Sequence, residues 1–119
     1  MAAVLHVAFF VLESVLFRLP VGRRIFGVRD ENDSAPLRLF AVNQGVYNLG
    51  LALVVLVGIV LTLSSDSWGI GIVVVIIGCA VMVLAGIALA VTAPKRMLPI
   101  ALAQGGLPLL AIAALVVNG

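Results

Sequence analysis

Apolar residues run through this chain in four long blocks, residues 2–19, 37–63, 69–93 and 98–117, with short polar breaks between them. Within each block they cover nearly the whole helical circumference, so length and hydropathy, rather than period, set the expectation. Crossing a hydrocarbon core of about 30 Å takes roughly 20 helical residues. A backbone in lipid satisfies its polar groups only as a helix or a closed barrel, and none of the blocks alternates like a strand. Each is therefore expected to be a transmembrane helix, the shortest, 2–19, leaning on Arg18 as an interfacial anchor. The expected fold is all-α: one four-helix integral membrane domain over residues 1–119, its helices antiparallel in a compact bundle.

The breaks orient the blocks. Residues 20–36 read as the one substantial polar loop, with Gly22, Arg23, Arg24, Gly27, Arg29 and the acidic cluster Asp30, Glu31 and Asp33. Residues 64–68 form a tight turn whose Asp66 is its only charge and whose Trp68 suits an interface, and Pro94, Lys95 and Arg96 form the third connection. All seven basic residues, Arg18, Arg23, Arg24, Arg29, Arg38, Lys95 and Arg96, fall in or beside the first and third loops. Two crossings separate those loops, so they share a side, and the positive-inside rule makes it cytoplasmic. Both termini are then expected outside. Residues 1–17 lack a positive start and a small-x-small cleavage site and carry Glu13, so they read as a retained span rather than a signal peptide.

Composition agrees and removes other classes. Of 119 residues, 64% are hydrophobic and 10% charged, against roughly 45–50% and 25% in soluble domains. A soluble domain of this size buries only about two-thirds of its surface, so the excess must face lipid. The net charge of +2 is too small and scattered for nucleic acid. Cys79 is the only cysteine and His6 the only histidine, which leaves no internal disulfide and no paired-ligand metal motif. Cys79 reads as a small buried thiol. Helix association in lipid needs close backbone approach, which Ala41/Gly45, Gly86/Ala90 and Ala101/Gly105 supply.

Candidate chemistry lies in polar side chains inside the blocks, where ionisable groups normally face a bundle interior or a wet cavity. Measured from Arg18, Arg38 and Arg96 at about 1.5 Å per residue, Glu13, Asn43, Gln44 and Gln104 lie about 7–12 Å deep, and Tyr47 and Asn48 about 13–15 Å. At about 100° per residue, Asn43, Gln44, Tyr47 and Asn48 share one face of the second block, while His6 and Glu13 share a face of the first with Phe10 and Phe17. These faces are expected to meet around a pocket. His6 lies nearer the outer surface, about 10 Å from Glu13 along the axis, too far to share a metal ion with it. Pro108 cannot donate to the carbonyl of Gln104, and Gly105 and Gly106 loosen the same turn, so the fourth block is expected to be an interrupted helix of the kind transporters use. Asn43-Gln44-Gly45 and Ala103-Gln104-Gly105 form a faint internal repeat.

His6 with Phe9, Phe10 and Glu13, the string Ala41-Val42-Asn43-Gln44-Gly45-Val46-Tyr47-Asn48, Gly78-Cys79 with Gly86, and Gln104-Gly105-Gly106-Leu107-Pro108 together resemble the bacterial family called domain of unknown function 1304. Leu5 and Phe17 stand where that family often has an acid and a tryptophan. The resemblance implies a four-span bacterial inner-membrane protein whose activity is unassigned.

The leading reading is a small-molecule or ion binding or transport bundle. Glu13 is its anchor, Asn43, Gln44, Tyr47, Asn48 and Gln104 are its lining, and His6 is a further candidate ligand. The limited volume of one bundle makes a homo-oligomer the expected transporting form. One alternative is an accessory subunit or quinone-contacting partner of a larger membrane redox complex, with His6, Tyr47 and Glu13 around a ring carbonyl. Another is a purely structural membrane protein whose amides only specify packing. An enzyme ranks last, because no nucleophile and base stand at matched depth; Ser14 is merely adjacent to Glu13. No cofactor is identified. The expected partners are the lipid bilayer, with its anionic headgroups at the arginine-rich loop, and the bound ligand.

Overall fold

A computed structural model describes residues 1–118; Gly119, and the side chain of Asp30 named above in the acidic cluster, lie outside the described residues. Among the described residues the regular elements are all helical. They are α1 (Ala2–Phe10), a π-helical turn (Val11–Val15), a 3-10 turn (Leu16–Arg18), α2 (Pro20–Ile25), a 3-10 turn (Asp30–Asn32), α3 (Ala35–Leu61), α4 (Trp68–Thr92), a 3-10 turn (Lys95–Met97) and α5 (Leu98–Asn118). Three helical stretches are long and apolar enough to cross a membrane: α3, α4 and Lys95–Asn118.

The single helix expected over residues 2–19 is corrected. Its α-helical part is nine residues long, and from Val11 the backbone changes to π and then to 3-10 geometry. The cause is tertiary. Gly45 of α3 has no Cβ, and one placed there would lie 2.2 Å from Ser14 Oγ and 3.2 Å from the Phe10 carbonyl oxygen, so the two helices touch closely at this level. Ser14 Oγ donates to the Val42 carbonyl at 3.3 Å, and Glu13 accepts from Asn48. Consecutive α-helical side chains diverge by about 100°; the wider π turn lets Glu13 and Ser14 both reach α3.

The polar loop is also more ordered than a loop over 20–36. Pro20 sits in the first turn of α2, where its missing N–H costs nothing. The helix closes in a Schellman motif: the Val28 amide donates to the Arg23 carbonyl and the Gly27 amide to the Arg24 carbonyl, each at 2.9 Å. Gly27 has φ +68, the left-handed conformation such a motif demands. The α3 helix starts two residues earlier than expected because Ser34 Oγ caps the Leu37 amide and Pro36 stands in the first turn.

α3 packs against α4, α4 against α5, and α1 against both α3 and α5. One buried cluster joins Ala2 and Ala3 of α1, Ala52 and Val55 of α3, and Val75, Cys79 and Met82 of α4, with Leu107, Ile112 and Leu115 of α5 packed against it. Glycine lets α4 and α5 approach: a Cβ at Gly86 would lie 2.7 Å from the Gly105 Cα. α5 runs unbroken past the buried Pro108, which corrects the expected interruption; its glycine at 105 serves close packing instead. The basic residues gather at one end. There Arg38 and Arg23 pair with Asp33, Arg23 donates to the Arg18 carbonyl, and Arg96 reaches across to the Gly27 carbonyl.

Candidate functional site

Glu13 stands where the π turn presses on α3. Asn48, buried at 2% exposure, donates through Nδ2 to Glu13 Oε2 at 2.7 Å. The carboxyl group itself is half-buried. It looks into two open-sided cavities. The first, about 320 Å³, lies between the end of the first segment, α2 and the start of α3, and is lined by Glu13, Phe17, Phe26, Val28, Leu37, Phe40, Ala41, Asn43 and Gln44. The second, about 490 Å³, lies towards α4 and α5, with Phe9, Thr92, Met97 and Gln104 among its lining. Glu13, Phe26 and Gln44 line both, so they form the wall the two cavities share. Among the described residues lining the two cavities, Glu13 is the one ionisable group. A third groove of about 600 Å³ at the basic end is lined by Arg18, Asp33, Arg38 and Val42 among others and by none of the amides.

Glu13 and Gln44 thus border both cavities, Asn43 the first and Gln104 the second, with Asn48 behind Glu13 as its hydrogen-bonding support. The two halves of the faint repeat meet here, because Gln44 and Gln104 line the same cavity. Two expected residues do not join them. Tyr47 is 64% exposed on the outside of α3 and lines neither cavity. His6 is completely buried among the helices and lines neither cavity. Its Nδ1 donates to the Ala2 carbonyl at 3.0 Å and its ring meets Phe9 edge-on at 5.9 Å. His6 Nε2 has no hydrogen-bond partner among the described residues. The trio His6, Tyr47 and Glu13 that a quinone ring would need therefore does not converge.

Phe26, Phe40 and Met97 are cavity residues that sequence reasoning missed. Phe26 is delivered by the Schellman turn that ends α2 and lies 5.9 Å from Phe17, ring centre to ring centre, at a 52° tilt. Its only sequence signal is an aromatic residue placed directly before a glycine in an otherwise basic stretch. Phe40 looked like any apolar residue of a membrane-crossing block.

The family model described as "Protein of unknown function (DUF1304)" matches residues 1–116, and the chain belongs to this family. No curated protein and no solved structure matches the chain.

Proposed function

We propose that this DUF1304 protein is an inner-membrane small-molecule binding protein, and in its assembled form a carrier, whose site is the wall between the two cavities. Glu13 anchors the ligand, and Gln44, Asn43 and Gln104 orient it by hydrogen bonds. The observation that carries this reading is a lone carboxyl group, bonded on one side to a buried amide and open on the other to space bordered by three further amides. Amides that only specified packing would face one another, and these face cavities. A volume of about 320 Å³ falls at the lower end of the roughly 300–1,000 Å³ usual for ligand sites.

In this reading residues 2–18 form the fourth crossing, with the basic end cytoplasmic. Their apolar surface and the packing of α1 on α3 and α5 support that. Self-association completes the proposal: Tyr47 is exposed on α3, and hydrocarbon offers its hydroxyl no hydrogen bond, whereas a second copy does.

The test is a panel of cationic, neutral and anionic solutes screened by thermal unfolding of the purified chain, followed by uptake into proteoliposomes. A ligand that binds only the folded state raises the unfolding midpoint. At least one solute is expected to do so for the wild type and to lose the effect in Glu13→Gln. If no solute of any charge discriminates the two proteins, the binding reading fails.

A further inference from the structure

We propose that the ligand of this site is a lipophilic organic cation, an ammonium or phosphonium group on an aromatic or aliphatic body, with its charge at Glu13 and its body between Phe17, Phe26 and Phe40. The inference rests on the binding reading above and adds the charge and shape of what is bound.

Three observations carry it. Asn48 occupies Oε2 of Glu13, while Oε1 has no hydrogen-bond donor among the described residues; an acceptor is left facing the cavities. No lysine, arginine or histidine lines either cavity among those residues, and the nearby basic groups have other work, Arg38 at Asp33 and Arg96 at the Gly27 carbonyl. The side chain therefore lacks a resident counter-charge that an incoming cation would have to displace. The third is the wall itself. Phe17, Phe26 and Phe40 line the same cavity as the carboxyl group, and aromatic faces attract cations, most strongly where water is excluded.

The same lining argues against other classes. An anion would meet a carboxyl group with no cation to offset it. A strongly hydrated sugar or amino acid would set its polar groups against three phenyl rings. Access suits an amphipathic molecule too, because Phe40 is 72% exposed on the outer surface of α3 and the first cavity is open-sided, so a solute already in the bilayer reaches it laterally.

Tetraphenylphosphonium and tetraphenylborate test this directly, since they share one shape and carry opposite charges. Binding of each to the purified full chain in nonionic detergent is measured by equilibrium dialysis. Saturable binding of the phosphonium is expected, weakened roughly tenfold or more in Glu13→Gln and about threefold to tenfold in Phe26→Ala, in keeping with a desolvated ion–carboxylate and cation–ring contact. The borate is expected to show only the non-saturable uptake of empty detergent. Equal binding of the two ions, or phosphonium binding unchanged in both variants, overturns the cation assignment. Binding of a neutral or anionic solute that depends on Glu13 would overturn the assignment as well and leave the binding reading standing. Should Glu13→Gln not fold, Phe26→Ala and Phe40→Ala carry the comparison, because neither side chain belongs to the buried cluster of α1, α3 and α4.

Discussion

Asp33 sits between two guanidinium groups at the basic end. Arg38 donates to it through Nε at 2.8 Å and again through a second nitrogen, and Arg23 approaches to 3.4 Å. The Arg38 hydrogen bonds outweigh the opposing effect of desolvation and, helped by the charges of Arg23 and Arg38, hold the Asp33 carboxyl below the usual carboxylate range. A carboxyl whose folded value is depressed adds stability above its unfolded value of about 3.9, and that stability disappears as pH falls through the folded value. Asp33→Asn is therefore expected to unfold at lower temperature than the wild type at pH 7. The gap should narrow as the pH drops below about 4. Thermal unfolding in detergent at several pH values checks this, and a gap of constant size would show that the ion pairs do not stabilise the fold. The arrangement matters for the site because Asp33 ties Arg23 of α2 to Arg38 of α3, and Phe26 directly follows α2.

At the level of helices, glycine has two different consequences on the neighbouring helices α4 and α5. At Gly86 a Cβ would lie 2.7 Å from the Gly105 backbone and 3.0 Å from the Ala101 carbonyl oxygen, whereas at Gly106 it would meet nothing within 4 Å. Gly86→Ala must push α4 and α5 apart, at a cost of about 1–3 kcal/mol. Gly106→Ala gains helix propensity, up to about 1 kcal/mol, and is expected to be neutral or stabilising. Unfolding midpoints of the two variants should move in opposite directions or differ by at least the cost at Gly86; equal midpoints would mean the helices have slack there. This contact was legible in the sequence, since Gly86 and Ala101/Gly105 are small residues at helical spacing, and so were the three long apolar helices. The change of helix form at Val11 was not. Residues 11–15 contain no glycine or proline, and the π turn answers to Gly45 and Asn48 thirty and more residues away. The site divides the same way. A polar face about 140° wide on α3 says that amides cluster but not which edge turns inward, and so Asn48 supports Glu13 while Tyr47 of the same face points out. Phe26 depends on how a short helix in a basic connection ends, which hydropathy does not register.

For the molecule as a whole, the decisive question is how many times the chain crosses. It is 54 Å long in its greatest dimension, more than the roughly 40–45 Å of a bilayer with its headgroups, so the basic end has room to stand in water while α3, α4 and α5 lie in lipid. Those three helices put the turn at residues 62–67 and the end of α5 on one side, and the basic connections on the other. The first segment starts in the buried cluster that holds Val55, Val75 and Cys79, short of the non-basic ends of α3 and α4, and finishes at Arg18 among the arginines. In the proposed four-span reading it crosses a locally thin bilayer, which costs only fractions of a kcal/mol per Å of mismatch. Single cysteines in a Cys79→Ala background make this measurable with a membrane-impermeant thiol reagent, alongside an N-terminal epitope tag. Asp66→Cys and the tag are expected to react from outside intact cells, and Glu31→Cys and Lys95→Cys only after permeabilisation. A tag that sides with residues 31 and 95 would mean that the first segment enters and leaves by the same face. Glu13 would then lie on a re-entrant arm, and the two cavities would open to the cytoplasm alone, compatible with a binding protein but not with a carrier.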